Sequence, residues 1–350
     1  LMGLAKAIVG GVRGSLAHVN ILTSMLLGGV SGSSTSDAAG IGSVMIPAMT
    51  RAGYSKELAV VVTAMSSTMG NIIPPSIFMI VYGALSGISI GALFLAGAIP
   101  GILIGLSQMG LTAYLARRDN LPTEPKMEMH ERLTAVRRSL LALVIPIVVV
   151  GGIASGLVTP TEAAATLVVY ALFVAMLVYR SLRPRQLPGV LKSAAYQASL
   201  PLYTIASATI FGWLVGYLRG PEYIVSLIGG LTSDPTVMIL LLIVFLLILG
   251  TFLSEIATII IFMPVIQRLG DLAGFDPVHL GILVVMTLCL GLITPPYGMC
   301  LLIAAQIGGI SLHRAFKASL GFFALFVGLI ALLLFVPELV LFLPNLLLTR

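Results

Sequence analysis

Seven residues, Ser31 to Asp37 (SGSSTSD), interrupt a stretch of chain that is otherwise as apolar as a lipid tail. In hydrocarbon an unpaired backbone group costs several kcal/mol. A chain can therefore leave helical geometry at that depth only where it is buried in protein or lines a wet cavity. A second interruption begins at Gly250 (GTFLSEIATIIIFMP). Each is followed by a double proline, in GNIIPPS at 70–76 and in GLITPPYG at 291–298. Matching interruptions in two parts of an apolar chain point to a transport site at the bilayer midplane.

Composition places these breaks in a membrane. The chain has 350 residues, 58% hydrophobic and 9% charged, where a soluble domain carries about 25% charged residues. Mean hydropathy is +1.11. The apolar runs are helix-length and do not alternate as barrel strands do, so the chain reads as an all-α polytopic membrane protein. Its 37 Gly and 19 Pro suit closely packed and broken membrane helices. The net charge of +6 is read as basic cytoplasmic loops and not as nucleic-acid binding. Cys289 and Cys300 read as small buried hydrophobes, with no His or further Cys nearby to make a metal or disulfide motif. The chain opens on Leu1 without a cleavable signal peptide, and a start in mid-sequence is the expectation.

Read in order, residues 1–14 are an interfacial lead-in. Residues 15–116 form a first unit: a re-entrant hairpin (15–50, with its tip at Ser31–Ser36), a Pro-broken helix (57–85) and a span (91–116). A basic cytoplasmic loop (117–138) leads to scaffold spans (139–218) and an interfacial segment (219–234). Residues 235–341 form a second unit with a hairpin (235–267), a broken helix (278–307) and a span (319–341). Three anchors recur in one order: Ser36-Asp37 before Pro47 and Ser254-Glu255 before Pro264, then the double prolines, then Gly87-Ile88-Ser89 and Gly309-Ile310-Ser311. These anchors mark an internal repeat. Placing Arg51 inside leaves only Arg219, Arg268 and Arg350 of the 19 Lys and Arg outside, as the positive-inside rule requires. Lys126 falls inside with the rest of its loop. In that trace the two units are inverted in the membrane, the arrangement that permits alternating access.

The chemistry-bearing residues gather at the breaks. Asp37 and Glu255 are the deepest carboxylates and admit two readings: part of cation sites, or first-turn residues that satisfy free N–H groups and the positive helix end. The hydroxyls of Ser31, Ser33, Ser34, Thr35, Ser36, Thr251 and Ser254 are hard oxygen donors. So are the carbonyls freed at Gly70, Ile73 and Pro75, and at Gly291, Thr294 and Pro296, which suit Na⁺. The helix starts after Ser36 and Ser254 suit an anionic solute. Asn71 adds an amide, either to the solute or to a local cap. His18 and His279 read as packing or interfacial residues, and Glu162 as a helix-start residue. Gly29-Val30-Ser31-Gly32 also matches a short intramembrane serine-protease pattern, which would need a His base facing Ser31. A proton-coupled or passive permease is the other alternative. No phosphate loop or nucleotide signature points to a pump.

The stretches GGVSGSSTSDAAGIGSVMIPAMTRAGYSKE and NIIPPSIFMIVYGALSGISIGALFLAGAIPG, with SEIATIIIFMPV and GLITPPYGMCLLIAAQIGGIS, closely resemble the large membrane subunit of tripartite ATP-independent periplasmic (TRAP) transporters. The resemblance covers essentially the whole chain. That family's large subunit usually has further apolar segments before the point where this chain starts, so the resemblance implies a truncated chain. It implies an elevator-type transport domain of hairpins and broken helices moving against a scaffold. It implies Na⁺ symport of an organic acid such as a C4-dicarboxylate or a sialic acid, in the cytoplasmic (inner) membrane of a bacterium or archaeon. It also implies two protein partners: a small four-helix membrane subunit and a periplasmic substrate-binding protein that delivers the solute. Carried over by position, the ion-binding carbonyls are those of Gly70, Ile73, Pro75, Gly291, Thr294 and Pro296. No enzymatic activity and no organic cofactor are expected.

Overall fold

Eight helices in the described residues start where a Ser, Thr or Asp side chain holds free N–H groups of the first turn. The computed structural model describes residues 1–123 and 127–348; Lys126 and Arg350, both counted in the charge balance, lie outside them. Among the described residues every regular element is helical. A short α1 (Met2–Val9) leads into α2 (Ser15–Ser31), and α3 (Ser34–Arg51) folds back on it. Next, α4 (Lys56–Ser67) tightens into a 3₁₀ turn at Thr68–Asn71, leaves helical geometry, and resumes as α5 (Ile77–Ser86). The long α6 (Ile90–Arg118) follows, then α7 (Met129–Ala154), α8 (Pro160–Phe173), α9 (Leu187–Tyr217) and α10 (Gly220–Leu231). The order of the first part then recurs. Helices α11 (Pro235–Gly250) and α12 (Glu255–Ala273) pair, α13 (Pro277–Gly291) breaks and resumes as α14 (Met299–Gly308), and α15 (Leu312–Phe335) and α16 (Glu338–Leu348) close the chain.

Ser55, Ser76, Ser89, Ser254 and Ser311 each accept the backbone N–H three residues on, capping α4, α5, α6, α12 and α15. Asp234 caps α11 through Oδ1, accepting Thr236 N–H at 2.8 Å and Val237 N–H at 3.0 Å. Asp276 does the same for α13, at 2.9 and 3.0 Å. Each such cap contributes about 1 kcal/mol. Glu162 is a helix-start residue, accepting the Thr159 N–H at 2.8 Å in a reciprocal cap.

Six helices among the described residues are long and apolar enough to cross a bilayer, and the hairpin and broken-helix segments are shorter apolar helices. The chain is a multi-pass membrane protein. Its buried centre lies around α4, α13 and α14, where the two parts interlock. Helix α14 packs on both α3 and α4, with Ile307 over Gly42 and Gly308 against Val60. Helix α12 packs on α5, where Gln267 Nε2–H donates to the Ser86 carbonyl at 3.2 Å. Helices α7, α8 and α9 leave most of their apolar surface uncovered. Helix α7 meets the first hairpin with Pro146 at Gly29, and α9 packs along α12 of the second, with Gly212 at Ile261.

Three boundaries differ from the sequence reading. The first tip is not Ser31–Ser36: only Gly32 and Ser33 lie between α2 and α3, because Gly32 at φ +64° turns the chain at once. Ser34, Thr35 and Ser36 form the first turn of α3, and Ser33, not Ser36, holds the N-cap position. The segment read as one span at 319–341 is two helices, since Pro337 offers no N–H to the carbonyl of Leu333. The ring of His279 takes that carbonyl, Nε2 to O at 2.8 Å, so His279 is hydrogen-bonded as well as packed. Finally, α7 begins inside the segment read as a basic loop, at Met129.

Candidate functional site

In the first part, the hairpin tip closes on the broken helix. Pro74 and Pro75 have no N–H for the carbonyls of Gly70 and Asn71. The Asn71 carbonyl accepts the Ser76 hydroxyl at 2.5 Å, while among the described residues no hydrogen bond replaces the one lost at Gly70. The tip docks on this break through small residues. A Cβ at Gly28 would sit 3.2 Å from Gly70 Cα, and a Cβ at Gly32 would sit 2.8 Å from the Pro75 carbonyl oxygen. The Ile77 N–H donates to the Gly32 carbonyl at 3.4 Å, and the Ser34 hydroxyl donates to the Thr68 carbonyl at 3.1 Å.

Asp37 sits at the centre of this contact. Its side chain is buried, and a Cβ on Gly70 would lie 2.5 Å from Oδ2. Neither carboxylate oxygen has a hydrogen bond of ordinary geometry, although the Ser31 hydroxyl is close by. A carboxylate at this depth without a protein partner is a place for a cation or a proton. Ser33 and Thr35 share a hydroxyl contact at 3.3 Å beside it. Ser36, by contrast, is exposed on the far face of α3 and is not brought to the break. Asn71 is buried on the break with Oδ1 unpartnered.

The second part repeats the contact with different details. Pro295 and Pro296 offer no N–H to Gly291 and Leu292. The Leu292 carbonyl accepts the Cys300 N–H at 2.9 Å, and the Gly291 carbonyl accepts the Thr294 N–H at 3.0 Å. Gly291 carries only one freed lone pair, a narrower role than the sequence reading gave it. A Cβ on Gly291 would meet the Gly250 carbonyl oxygen at 2.9 Å, so tip and break touch backbone to backbone. The Tyr297 N–H donates to the Thr251 carbonyl at 3.0 Å. The Thr251 and Thr294 hydroxyls donate within their own chain turns, to Ile248 and Leu290, and keep only acceptor capacity. Ser254 caps α12 by accepting the Ala257 N–H at 3.4 Å. Glu255 is buried with Oε1 unpartnered, close to Cys289, Cys300 and Tyr297. Ile73, Pro75 and Thr294 are part-buried, whereas Pro296 is exposed.

Cys300, in the first turn of α14, lies within electrostatic reach of both Glu255 and Asp37. A cavity of 180 Å³ adjoins the first tip, with Ser31, Gly32, Pro75 and Ser76 on one side and Val149 of α7 and Ala164 and Leu167 of α8 on the other. Sequence reasoning placed Gly28 and Gly250 at the interruptions but gave neither a role; they are the residues that let tip and break touch. Among the described residues no His faces Ser31, as the serine-protease reading would need. His18 lies on the same helix α2, roughly 20 Å away at 1.5 Å per residue. Among the described residues no group of His, Cys, Asp and Glu gathers as a transition-metal site.

The chain matches the family model of the tripartite ATP-independent periplasmic transporter DctM component over residues 1–339. It is 36% identical over 320 residues to the sialic acid TRAP transporter large permease SiaM of Vibrio cholerae, covering 91% of this chain and 75% of that one. It is 38% identical to the C4-dicarboxylate TRAP transporter large permease DctM of Pseudomonas aeruginosa, with the same coverage. It is 34% identical over 317 residues to the 2,3-diketo-L-gulonate TRAP transporter large permease YiaN of Escherichia coli, covering 91% and 75%. With its broken helices and paired tips, the chain belongs to the DctM component family of tripartite ATP-independent periplasmic transporters.

Proposed function

We propose that this chain is the large membrane subunit of a secondary transporter that imports an organic acid anion with Na⁺. The observation that carries the reading is the paired geometry. Twice, a hairpin tip with hydroxyl donors closes on a Pro-broken helix, and a buried carboxylate with an unpartnered oxygen stands in the contact. Hydroxyls, carboxylates and freed carbonyls are hard oxygen donors, the kind Na⁺ prefers in broken-helix transporters. The ion ligands proposed are Ser31, Asp37, Gly70, Ile73 and Pro75 in one part. In the other they are Thr251, Glu255, Gly291, Thr294 and Pro296. The solute's carboxylate binds between the tips, at Ser33, Ser34, Asn71, Thr251 and Ser254, where the starts of α3 and α12 present positive helix ends.

Alternating access is by elevator motion. The hairpins, α4–α5 and α13–α14 move as one body against α7–α10. The interlocking of α3, α4 and α14 supports their grouping as one moving body. The two units are inverted, with the base of the first hairpin on the cytoplasmic side of the inner membrane. The Glu57–Arg314 ion pair supports that topology, since it holds the starts of α4 and α15 on one side. The uncovered apolar faces of α7–α9 support a small membrane subunit as partner. A periplasmic binding protein delivers the solute. Three of the related permeases are named for sialic acid, C4-dicarboxylates and 2,3-diketo-L-gulonate, all carboxylates, and another for isethionate, a sulfonate.

Uptake in proteoliposomes holding the complete complex tests the proposal. Transport of a labelled organic acid should require an inward Na⁺ gradient and the binding protein. Transport that persists at full rate without Na⁺ would remove the symport part of the reading.

A further inference from the structure

The seam where α2, α4 and α6 meet carries polar chemistry that neither candidate site uses. Helices α2 and α4 run side by side in the same direction. Asn20 Nδ2–H donates to Thr63 Oγ1 at 2.7 Å, and the Ser24 and Ser66 hydroxyls share a hydrogen bond at 2.8 Å. One turn further, Gly28 lies against Gly70 and the Asp37 contact. Helix α6 runs the opposite way, with Gly14 facing Ala116 and Met25 facing Gly105. From it Gln108 Nε2–H reaches the Met65 carbonyl at 3.1 Å.

Three oxygens in this seam have no partner: Asn20 Oδ1, Gln108 Oε1 and Thr112 Oγ1. All three residues are 0% exposed. Buried polar atoms of this kind are satisfied by ordered water. The pairings set the register of the three helices. In that register Thr112, Asn20, Gln108, Ser24 and Gly28 succeed one another at steps of about 3–6 Å, at 1.5 Å of rise per residue. Single waters bridge such steps. The second part is different. The face of α11 that meets α13 beside Gly250 carries Leu242 and Leu246, all buried, and Leu288 faces it. The one buried hydroxyl of α13, on Thr287, is bonded to the Leu283 carbonyl.

We propose that the α2–α4–α6 seam is a hydrated access path for water and a hard monovalent cation, leading from the base of the first hairpin to Asp37. It serves the first site alone. The cation part rests on the Na⁺ reading above; the hydration does not. The path needs no charged residue, since amide and hydroxyl oxygens with water replace a hydration shell in short steps.

The test uses the complete complex. Radiolytic hydroxyl labelling should oxidise Met49, whose Sδ lies 3.6 Å from Asn20 Nδ2, many-fold faster than the equally buried Met286 of α13. A cryo-electron-microscopy map fine enough for water should place densities on Asn20 Oδ1 and Gln108 Oε1. The double variant Asn20→Leu, Gln108→Leu should keep solute affinity within twofold and slow turnover at least tenfold. Ser24→Ala with Ser66→Ala, a smaller change, should slow it in the same direction and serves where the first variant fails to assemble. A dry, unlabelled seam overturns the proposal, as does full turnover in an assembled variant. Failure of the Na⁺ reading shows separately, as wild-type uptake indifferent to Na⁺ with the seam still labelled.

Discussion

Replacing Gly70 with alanine tests the tip-on-break contact with a single methyl group. A Cβ there would sit 2.5 Å from Asp37 Oδ2, 3.1 Å from the Ser33 carbonyl carbon and 3.1 Å from the Ser34 backbone nitrogen. Two of these neighbours are backbone, held by Gly32 at φ +64° and by the Ser34–Thr68 hydrogen bond, so the tip must lift as a unit. Overpacking of this kind costs roughly 1–3 kcal/mol. A chain of this size loses about 2 °C of Tm per kcal/mol or somewhat less, so Gly70→Ala should lower Tm by a few degrees. It should also cut uptake more than tenfold, because the displaced atoms are those proposed to hold the ion. Gly40→Ala is the control: a Cβ there meets nothing within 4 Å, and alanine is the better helix former by about 1 kcal/mol. The assay pairs thermal unfolding of the purified complex with uptake in proteoliposomes. Gly70→Ala with wild-type Tm and uptake would refute the reasoning, since it would mean the tip is not seated on the break.

Four further outcomes are expected. Ser33→Trp or Thr251→Trp should abolish uptake while assembly, read by size-exclusion chromatography, is unchanged. Asp37→Asn should assemble normally and raise the half-saturating Na⁺ concentration by about tenfold, equivalent to about 1.4 kcal/mol; an unchanged Na⁺ curve would assign Asp37 to the helix start alone. Glu57→Ala removes a surface ion pair whose Arg314 side chain is 66% exposed, worth under about 1 kcal/mol, so Tm should move by less than about 2 °C with uptake retained. Asp276→Ala deletes two hydrogen bonds at the start of α13 and should cost about 1 kcal/mol, while Asp276→Asn restores most of it.

Much of this architecture was legible because a membrane forbids stray backbone. The double prolines at 74–75 and 295–296 could only be breaks, and they are. The extent of the first tip was not legible. Six consecutive small polar residues read as loop, yet serine is also a good first-turn residue, and Gly32 alone makes the turn. Ser36 was misplaced for the same reason: adjacency to Asp37 in sequence becomes a rotation of about 100° on a helix. The carbonyls of Asn71 and Leu292 are taken by Ser76 and Cys300, which sequence spacing does not show. The ladder of Asn20, Ser24 and Gly28 against Thr63, Ser66 and Gly70 had a signal, polar and small residues one turn apart inside apolar helices. It went unread because the breaks drew the chemistry to themselves.

The most direct measurement is a cryo-electron-microscopy structure of the chain with its small membrane partner, determined in Na⁺ and again in choline. The account predicts density in Na⁺ at Ser31–Asp37 facing Gly70–Pro75 and at Thr251–Glu255 facing Gly291–Pro296, lost at both places in choline. Two tips packed dry on their breaks in both salts would contradict it, and would leave Asp37 and Glu255 as proton carriers or helix-start residues.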